Sequence, residues 1–101
     1  MGRPFGYDGS LDTGLVIHMP KSTMRISADS IAFIRDEIQR RSPVLMGANR
    51  DPLVRNSVGE TLALQAGKSP QLMSYVLPLL VEEGFCRVSS RRPYLITLCR
   101  R

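Results

Sequence analysis

The spacing of apolar residues predicts a first helix between residues 27 and 43. Ile31, Ile34 and Ile38 recur at steps of three and four, so they share one face of a helix. Ser27 precedes the run as a suitable cap, and Pro43 ends it. We therefore expect the isoleucine face to lie in the core.

Two acid-before-base pairs occur within the same segment. Asp36 precedes Arg40 by four residues, and Glu37 precedes Arg41 by four residues. Pairs with this spacing support an exposed helix surface, because the two side chains lie one turn apart. We therefore expect both pairs to face solvent.

A second helix is predicted to begin after residue 57. Ser57 and Glu60 have the spacing of a capping box, in which each side chain accepts a hydrogen bond from the other residue's amide. Gly67 supplies the left-handed conformation that ends a helix. The apolar side of this helix is narrow and built around Leu62, Ala63 and Ala66.

A third helix is predicted over residues 69–83. Ser69 can cap it, Pro70 occupies its first position, and Gly84 follows its end. Pro78 stands about two turns inside, where proline removes a backbone hydrogen bond, so we expect a bend there. The apolar face consists of Leu72, Met73, Val76, Leu77 and Leu80.

Strand-like runs occupy both ends of the chain. Residues 1–14 lack periodicity and are expected to form a flexible arm. The runs "LVIHM" and "TMRI" follow, separated by a turn signal at Pro20, so residues 1–26 are interpreted as an N-terminal arm with a short hairpin. Arg3 in the arm is a candidate for a nucleic-acid minor groove, or it belongs to a solvated tail.

The C-terminal runs predict a second hairpin. A short apolar run begins at Val44, and the runs "FCRVS" and "YLITLC" follow the third helix. A turn that carries Arg91 and Arg92 joins the last two runs, so a hairpin here would present two adjacent guanidinium groups away from the core.

Size and composition favour one small folded domain. The chain has 101 residues and 43% hydrophobic content, which suits one modest core and is too much for a disordered tail. Its apolar runs are shorter than the ~18 residues that a spanning helix needs. The first residues also lack the pattern of a secretory signal, so we expect a soluble cytoplasmic protein with no membrane partner.

The formal net charge is +5, and most of the basic residues are arginines. The planar guanidinium group suits phosphates and guanine edges, but a modest basic excess can equally serve solubility, so the placement of the charges matters more than their sum. Cys86, Cys99 and His18 lack zinc-site spacing, so we expect no metal and no cofactor. The two cysteines are either small apolar core residues or a disulfide across the hairpin.

The segment "SVGETLALQAGKSPQLMSYVLPLLVEEGF" followed by "CRVSSRRPYLITL" resembles a winged helix-turn-helix domain of bacterial and archaeal regulators. The resemblance covers residues 57–98, or 27–98 with the first helix. It implies an α+β fold for residues 27–101, with a three-helix core and a C-terminal β-hairpin wing. Two departures stand out: Lys68 replaces the usual aliphatic residue after the turn glycine, and Pro78 lies inside the third helix.

The resemblance implies a DNA-binding protein, in particular a small transcriptional regulator of double-stranded DNA. The third helix would offer Gln71, Ser74 and Tyr75 to base edges or phosphates, with Gln71 suited to adenine. The backbone contacts would come from Lys68, Ser69, Arg91 and Arg92. Simpler structural roles also fit several of these residues: Ser69 as a helix cap, Tyr75 resting on the protein surface, and the wing arginines as a solvated turn.

Two other functions remain as alternatives. Winged helices also serve as protein-interaction adaptors, and exposure of Leu79 or Val81 would favour that function. A homodimer would suit palindromic DNA. An enzyme is the weakest alternative, because the sequence shows no paired nucleophile and base and no phosphate-binding glycine loop.

Overall fold

A computed structural model describes residues 5–49 and 52–99, which form three α-helices and two small antiparallel sheets. Arg3 lies outside the described residues. In chain order, the elements are β1 (Gly6–Ser10), β2 (Gly14–Met19), β3 (Ser22–Ile26), α1 (Ala28–Arg41), β4 (Val44–Leu45), α2 (Val58–Gln65), a 3₁₀ turn (Pro70–Leu72), α3 (Met73–Glu82), β5 (Cys86–Val88) and β6 (Leu95–Leu98).

The N-terminal sheet has the strand order β1-β2-β3. The predicted hairpin is confirmed, because β2 and β3 pair across a turn at Pro20 and Lys21. The flexible arm expected over residues 1–14 is wrong for residues 6–10, since these form β1 along β2. The sequence shows no apolar periodicity there, because four of the five side chains are small or polar. The strand is instead held by backbone hydrogen bonds to β2.

Helix α1 begins and ends as its sequence predicts. The Ser27 hydroxyl accepts from the Ser30 amide at 3.1 Å, and the three isoleucines of the predicted face are fully buried. Arg40 Nε donates to Asp36 Oδ2 at 2.8 Å on the exposed side of the helix. The face predicted from spacing is therefore the core face.

The expectation that the Glu37–Arg41 pair faces solvent is wrong for Glu37. Its side chain is only 2% exposed, so this carboxylate lies in the interior and not on the solvent side of the helix. Arg41 Nη1 donates to Glu37 Oε1 at 2.8 Å, and Arg40 bonds to the other carboxylate oxygen. Two guanidinium groups therefore compensate one buried carboxylate, which would otherwise be costly to desolvate.

The second sheet connects the helices. Its strand order is β4-β6-β5, so the strand that follows α1 pairs with the last strand of the chain. The segment after β4 continues this connection: Met46 donates its amide to Tyr94 at 2.9 Å and accepts from the Gly59 amide at 3.0 Å. The start of α2 is thereby held directly against the sheet.

The capping box of α2 forms only in part as predicted. Ser57 Oγ accepts from the Glu60 amide at 3.0 Å, as expected. Glu60 Oε1, however, accepts from the Asn56 amide at 3.0 Å instead of the Ser57 amide. Asn56 adopts a φ of 59°, a backbone conformation that the capping pattern alone does not reveal.

The third helix starts as a 3₁₀ turn at Pro70 and continues as α3 without interruption across Pro78. Leu77, Leu79 and Leu80 surround the proline and are buried, so their packing supports the turn that lacks one backbone hydrogen bond. The bend expected at Pro78 stays a prediction.

One core joins the two sheets and the helices. Leu15, Ile17 and Ile26 on the inner face of the N-terminal sheet belong to the same buried cluster as the isoleucines of α1 and the leucines of α3. The N-terminal strands therefore pack on the helices as part of the same hydrophobic core.

Substitution of Gly59 tests how closely the start of α2 approaches the segment after β4. A Cβ added there would overlap the Gly47 carbonyl oxygen, and backbone gives way less easily than a side chain. We expect Gly59→Ala to lower the free energy of unfolding by about 3 kcal/mol, measured by urea denaturation. Gly6→Ala is the control: its Cβ would make only ordinary contacts with His18, so we expect a change within about 0.5 kcal/mol. Equal effects would contradict the close approach.

Candidate nucleic-acid interface

The connection between α2 and α3 is short and closed by specific hydrogen bonds. Gly67 adopts a φ of 65°, and the Lys68 amide donates to the Leu62 carbonyl at 2.9 Å. Ser69 Oγ then accepts from the Gln71 amide at 3.2 Å. Ser69 is thus the predicted cap, and the Lys68 side chain is exposed just before the 3₁₀ turn.

A polar strip runs along the outer side of α3. Gln71 and Ser74 are exposed and form the strip. The apolar, half-buried Pro78 lies beyond its end. Spacings of three and four place these residues on one side of the helix. No described side chain hydrogen-bonds to the side chain of Gln71 or Ser74. The first turns of the helix therefore present one amide and one hydroxyl to an external partner.

Tyr75 occupies a different position from Gln71 and Ser74. Its hydroxyl donates to Met19 Sδ at 3.7 Å, and its ring meets the Phe5 ring edge-on, with centroids 5.3 Å apart. Tyr75 thus contacts the N-terminal sheet from the flank of α3. The interpretation that its ring rests on the protein surface describes this arrangement.

The hairpin of β5 and β6 carries its two arginines at the connecting loop, as expected. The Ser89 amide donates to the Leu95 carbonyl at 3.0 Å, and Ser89 Oγ accepts from the Leu95 amide at 2.9 Å. Beyond this pair, Arg91 and Arg92 are exposed. The Arg92 guanidinium carbon lies 5.8 Å from the Tyr94 ring centroid, a cation–π contact that orients the side chain.

Ion pairing divides the basic residues into two groups. Arg35, Arg40 and Arg41 bind carboxylates of the same chain. Within residues 5–49 and 52–99, seven exposed basic side chains form no ion pair with a described carboxylate: Lys21, Arg25, Arg55, Lys68, Arg87, Arg91 and Arg92. Sequence reasoning singled out three of them as contacts. The others carried no signal, because pairing with distant carboxylates is invisible in the sequence.

The two cysteines do not face each other. Cys86 pairs with Leu98 in the ladder, and the Cys99 amide donates to the Phe85 carbonyl at 3.0 Å, so the cysteines are offset by one residue. Both are free thiols. Burial is the main cause that raises the pKa of the Cys86 thiol to about 11, so this group is almost wholly protonated near neutral pH.

Other chemistry was sought in the part of the chain that the structure describes. His18 Nε2 lies 2.7 Å from Asp8 Oδ2 on the exposed side of the N-terminal sheet. No cluster of three or more His, Cys, Asp or Glu residues suited to a metal ion occurs among the described residues. Within the same residues, no helix has the length and apolar character needed to cross a membrane.

Comparison of the chain with protein-family models, with curated proteins and with solved structures gave no match.

Tyr75→Ala tests whether Tyr75 attaches the N-terminal sheet to α3. Loss of the ring removes the contacts with Phe5 and Met19, so we expect the free energy of unfolding to fall by about 2 kcal/mol. We also expect faster hydrogen exchange at the amides of β1. Ser74→Ala, on the exposed strip, is the control and should change the free energy by less than about 0.5 kcal/mol. Unchanged exchange in β1 of the Tyr75 variant would contradict the attachment.

Proposed function

We propose that the chain is a DNA-binding protein with a winged-helix fold, acting as a small transcriptional regulator. The succession of α1, β4, α2, α3, β5 and β6, with β6 between β4 and β5, supports this fold, because a winged helix orders its helices and strands in the same way. The observation that carries the function is the set of exposed cations at the α2–α3 turn and the β5–β6 loop that form no ion pair with a carboxylate of residues 5–49 and 52–99.

Helix α3 is the proposed reader of the major groove. Gln71 lies in the 3₁₀ turn at its start, where its carboxamide can bond the N6 and N7 edge of an adenine. Ser74 follows on the same side and can donate to a base or a phosphate. Because Pro78 has no amide or polar side-chain atom to offer, we assign base recognition to the two turns before it.

The backbone contacts are assigned to two loops. Lys68 precedes the start of α3, and its ammonium group makes no ion pair with a described carboxylate. Ser69 Oγ accepts from the Gln71 amide, which leaves its own hydrogen free to donate to a phosphate. Arg91 and Arg92 in the β5–β6 loop provide the second cationic contact, so the wing positions the protein along the duplex.

Tyr75 has a different proposed role from the one that the family resemblance implies. Its contacts with Phe5 and Met19 engage the ring and the hydroxyl hydrogen. A side chain held in this way is suited to fixing the surroundings of α3, so we assign no base contact to it.

The protein-interaction function is the second candidate, and Leu64 favours it. This α2 residue is 70% exposed, whereas Leu79 is buried and Val81 is half-buried. The two residues whose exposure would have favoured an adaptor therefore contribute less apolar surface than Leu64. Single exposed apolar residues are common on protein surfaces, so Leu64 gives the alternative one apolar contact point and no contiguous patch among the described residues.

Arg91→Ala/Arg92→Ala tests the DNA-binding proposal. We expect the wild type to bind a labelled random-sequence duplex with a log–log salt slope of about −4 to −5, which corresponds to about five phosphate contacts. The double variant should reduce the magnitude of that slope by about 2, because two phosphate contacts are lost. Fluorescence anisotropy across a salt series measures both slopes.

Arg40→Ala is a control for loss of charge at a paired site, with one positive charge removed where the double variant removes two. The Arg40 guanidinium group already bonds Asp36 and Glu37. We expect its salt slope to equal that of the wild type. Absence of wild-type binding at low salt, or equal slopes for all three proteins, would contradict the proposed function.

Leu64→Asp tests the protein-interaction alternative, with a second copy of the chain as the partner. If the outer side of α2 is an interface between copies, the wild type should self-associate in sedimentation equilibrium. The aspartate variant should then be monomeric, because a charge would be buried against the partner. Leu64→Met, which keeps the apolar volume, is the control. A monomeric wild type at every concentration would exclude this interface.

A further inference from the structure

The turn between β2 and β3 lies beside the first turns of α3. Met19 ends β2, and its sulfur accepts the hydrogen bond from the Tyr75 hydroxyl. Phe5 packs on the same tyrosine ring from the chain segment just before β1. Tyr75 is four residues, or about one helical turn, beyond Gln71. The tip of the N-terminal hairpin is therefore attached to the first turns of α3 through Tyr75.

The side chains of this turn are polar and basic. Pro20, Lys21, Ser22 and Thr23 are all exposed. Lys21 forms no ion pair with a carboxylate among residues 5–49 and 52–99. Asp8 is the acidic residue of β1, and its carboxylate already bonds His18. The tip thus offers an uncompensated ammonium group and two hydroxyl groups to an anionic partner.

The strands that carry the turn are held in place by pairing within the N-terminal sheet. Five residue pairs in register connect β2 to β3, and five connect β2 to β1. The inner face of these strands contributes Leu15, Ile17 and Ile26 to the core. The backbone that carries Lys21 is therefore ordered before binding, so only the side chain has to lose conformational freedom, in contrast to a cation on a disordered arm.

We propose that the β2–β3 turn is a second backbone-contacting element, in which Lys21 binds a phosphate of the same duplex that α3 enters. The inference rests on the proposed DNA-binding function and extends it. The β2–β3 turn and the β5–β6 loop then bind two different parts of the duplex backbone, with α3 as the reading element. Tyr75 is the positioning residue that sets the distance between the turn and α3.

The expected contact is independent of base sequence. Lys21 carries a compact charge that binds phosphate without the bidentate geometry by which arginine distinguishes guanine. Ser22 and Thr23 can add neutral hydrogen bonds to phosphate oxygens. The turn should therefore contribute to affinity and salt dependence for every duplex, while Gln71 contributes to base preference.

Lys21→Ala tests the contact in the full chain against a matched control, Arg25→Ala. Arg25 is another exposed cation of the hairpin with no ion pair to a described carboxylate, but it lies opposite Val16 in the ladder, on the outer face of the sheet and away from the turn. Each variant removes one positive charge from the same hairpin. The pair therefore separates a localised phosphate contact from a general effect of net charge.

We expect Lys21→Ala to reduce the magnitude of the salt slope by about 1 and to weaken binding about five- to tenfold near 0.1 M salt. Arg25→Ala should keep the wild-type slope and lie within about twofold of its affinity. Equal losses for the two variants, or a wild-type slope for Lys21→Ala, would overturn the contact. Circular dichroism of each variant verifies that the fold is retained.

A second comparison tests the positioning role of Tyr75. If Tyr75 acts by placing Lys21, then Tyr75→Ala and the double variant Tyr75→Ala/Lys21→Ala should have the same reduced salt slope. Additive losses would show that Tyr75 acts independently of the turn and would overturn its positioning role. Arg91→Ala/Arg92→Ala distinguishes the two levels of failure. If that variant flattens the slope and Lys21→Ala does not, DNA binding stands and the second contact fails; if the wild type does not bind, both fail.

Discussion

The close backbone approach between the start of α2 and the segment after β4 determines how the rest of the molecule is arranged. Met46 bonds the Gly59 amide on one side and the Tyr94 carbonyl on the other, so a single residue ties a helix to the last strand of the chain. Gly59 permits this because a larger residue would meet the Gly47 carbonyl. The orientation of α2, and through the short Gly67 turn that of α3, is therefore set relative to the β5–β6 hairpin.

This constraint also links the elements that carry the exposed polar groups. The helix that carries Gln71 and Ser74, the turn that carries Lys68, and the loop that carries Arg91 and Arg92 are connected through the same core and the same sheet. These elements therefore share one packed support. The N-terminal sheet adds to it through the buried residues of β2 and β3.

Much of the fold was accessible from the sequence, because it depends on local signals. Periodicity located the core face of α1, and Ser57, Ser69 and Gly67 marked helix boundaries that the structure reproduces. The signals that failed concern groups far apart in the chain. The burial of Glu37 and the pairing of β1 with β2 depend on tertiary neighbours, which spacing along one element does not encode. The same reason hid which cations pair with a carboxylate far along the chain, as Arg35 does with Glu83.

The register of the β5–β6 hairpin has a bearing on the chain's response to oxidation. Cys86 and Cys99 are offset by one residue, so their Cβ atoms point to opposite faces of the hairpin, and a disulfide between them would require the ladder to shift. The hairpin therefore gains no covalent link from an oxidising environment. Its cohesion comes from the ladder, the Ser89 hydrogen bonds and the burial of Ile96. The folded chain accordingly depends on exclusion of water from its core, and oxidation adds no link between the two cysteines of the β5–β6 hairpin.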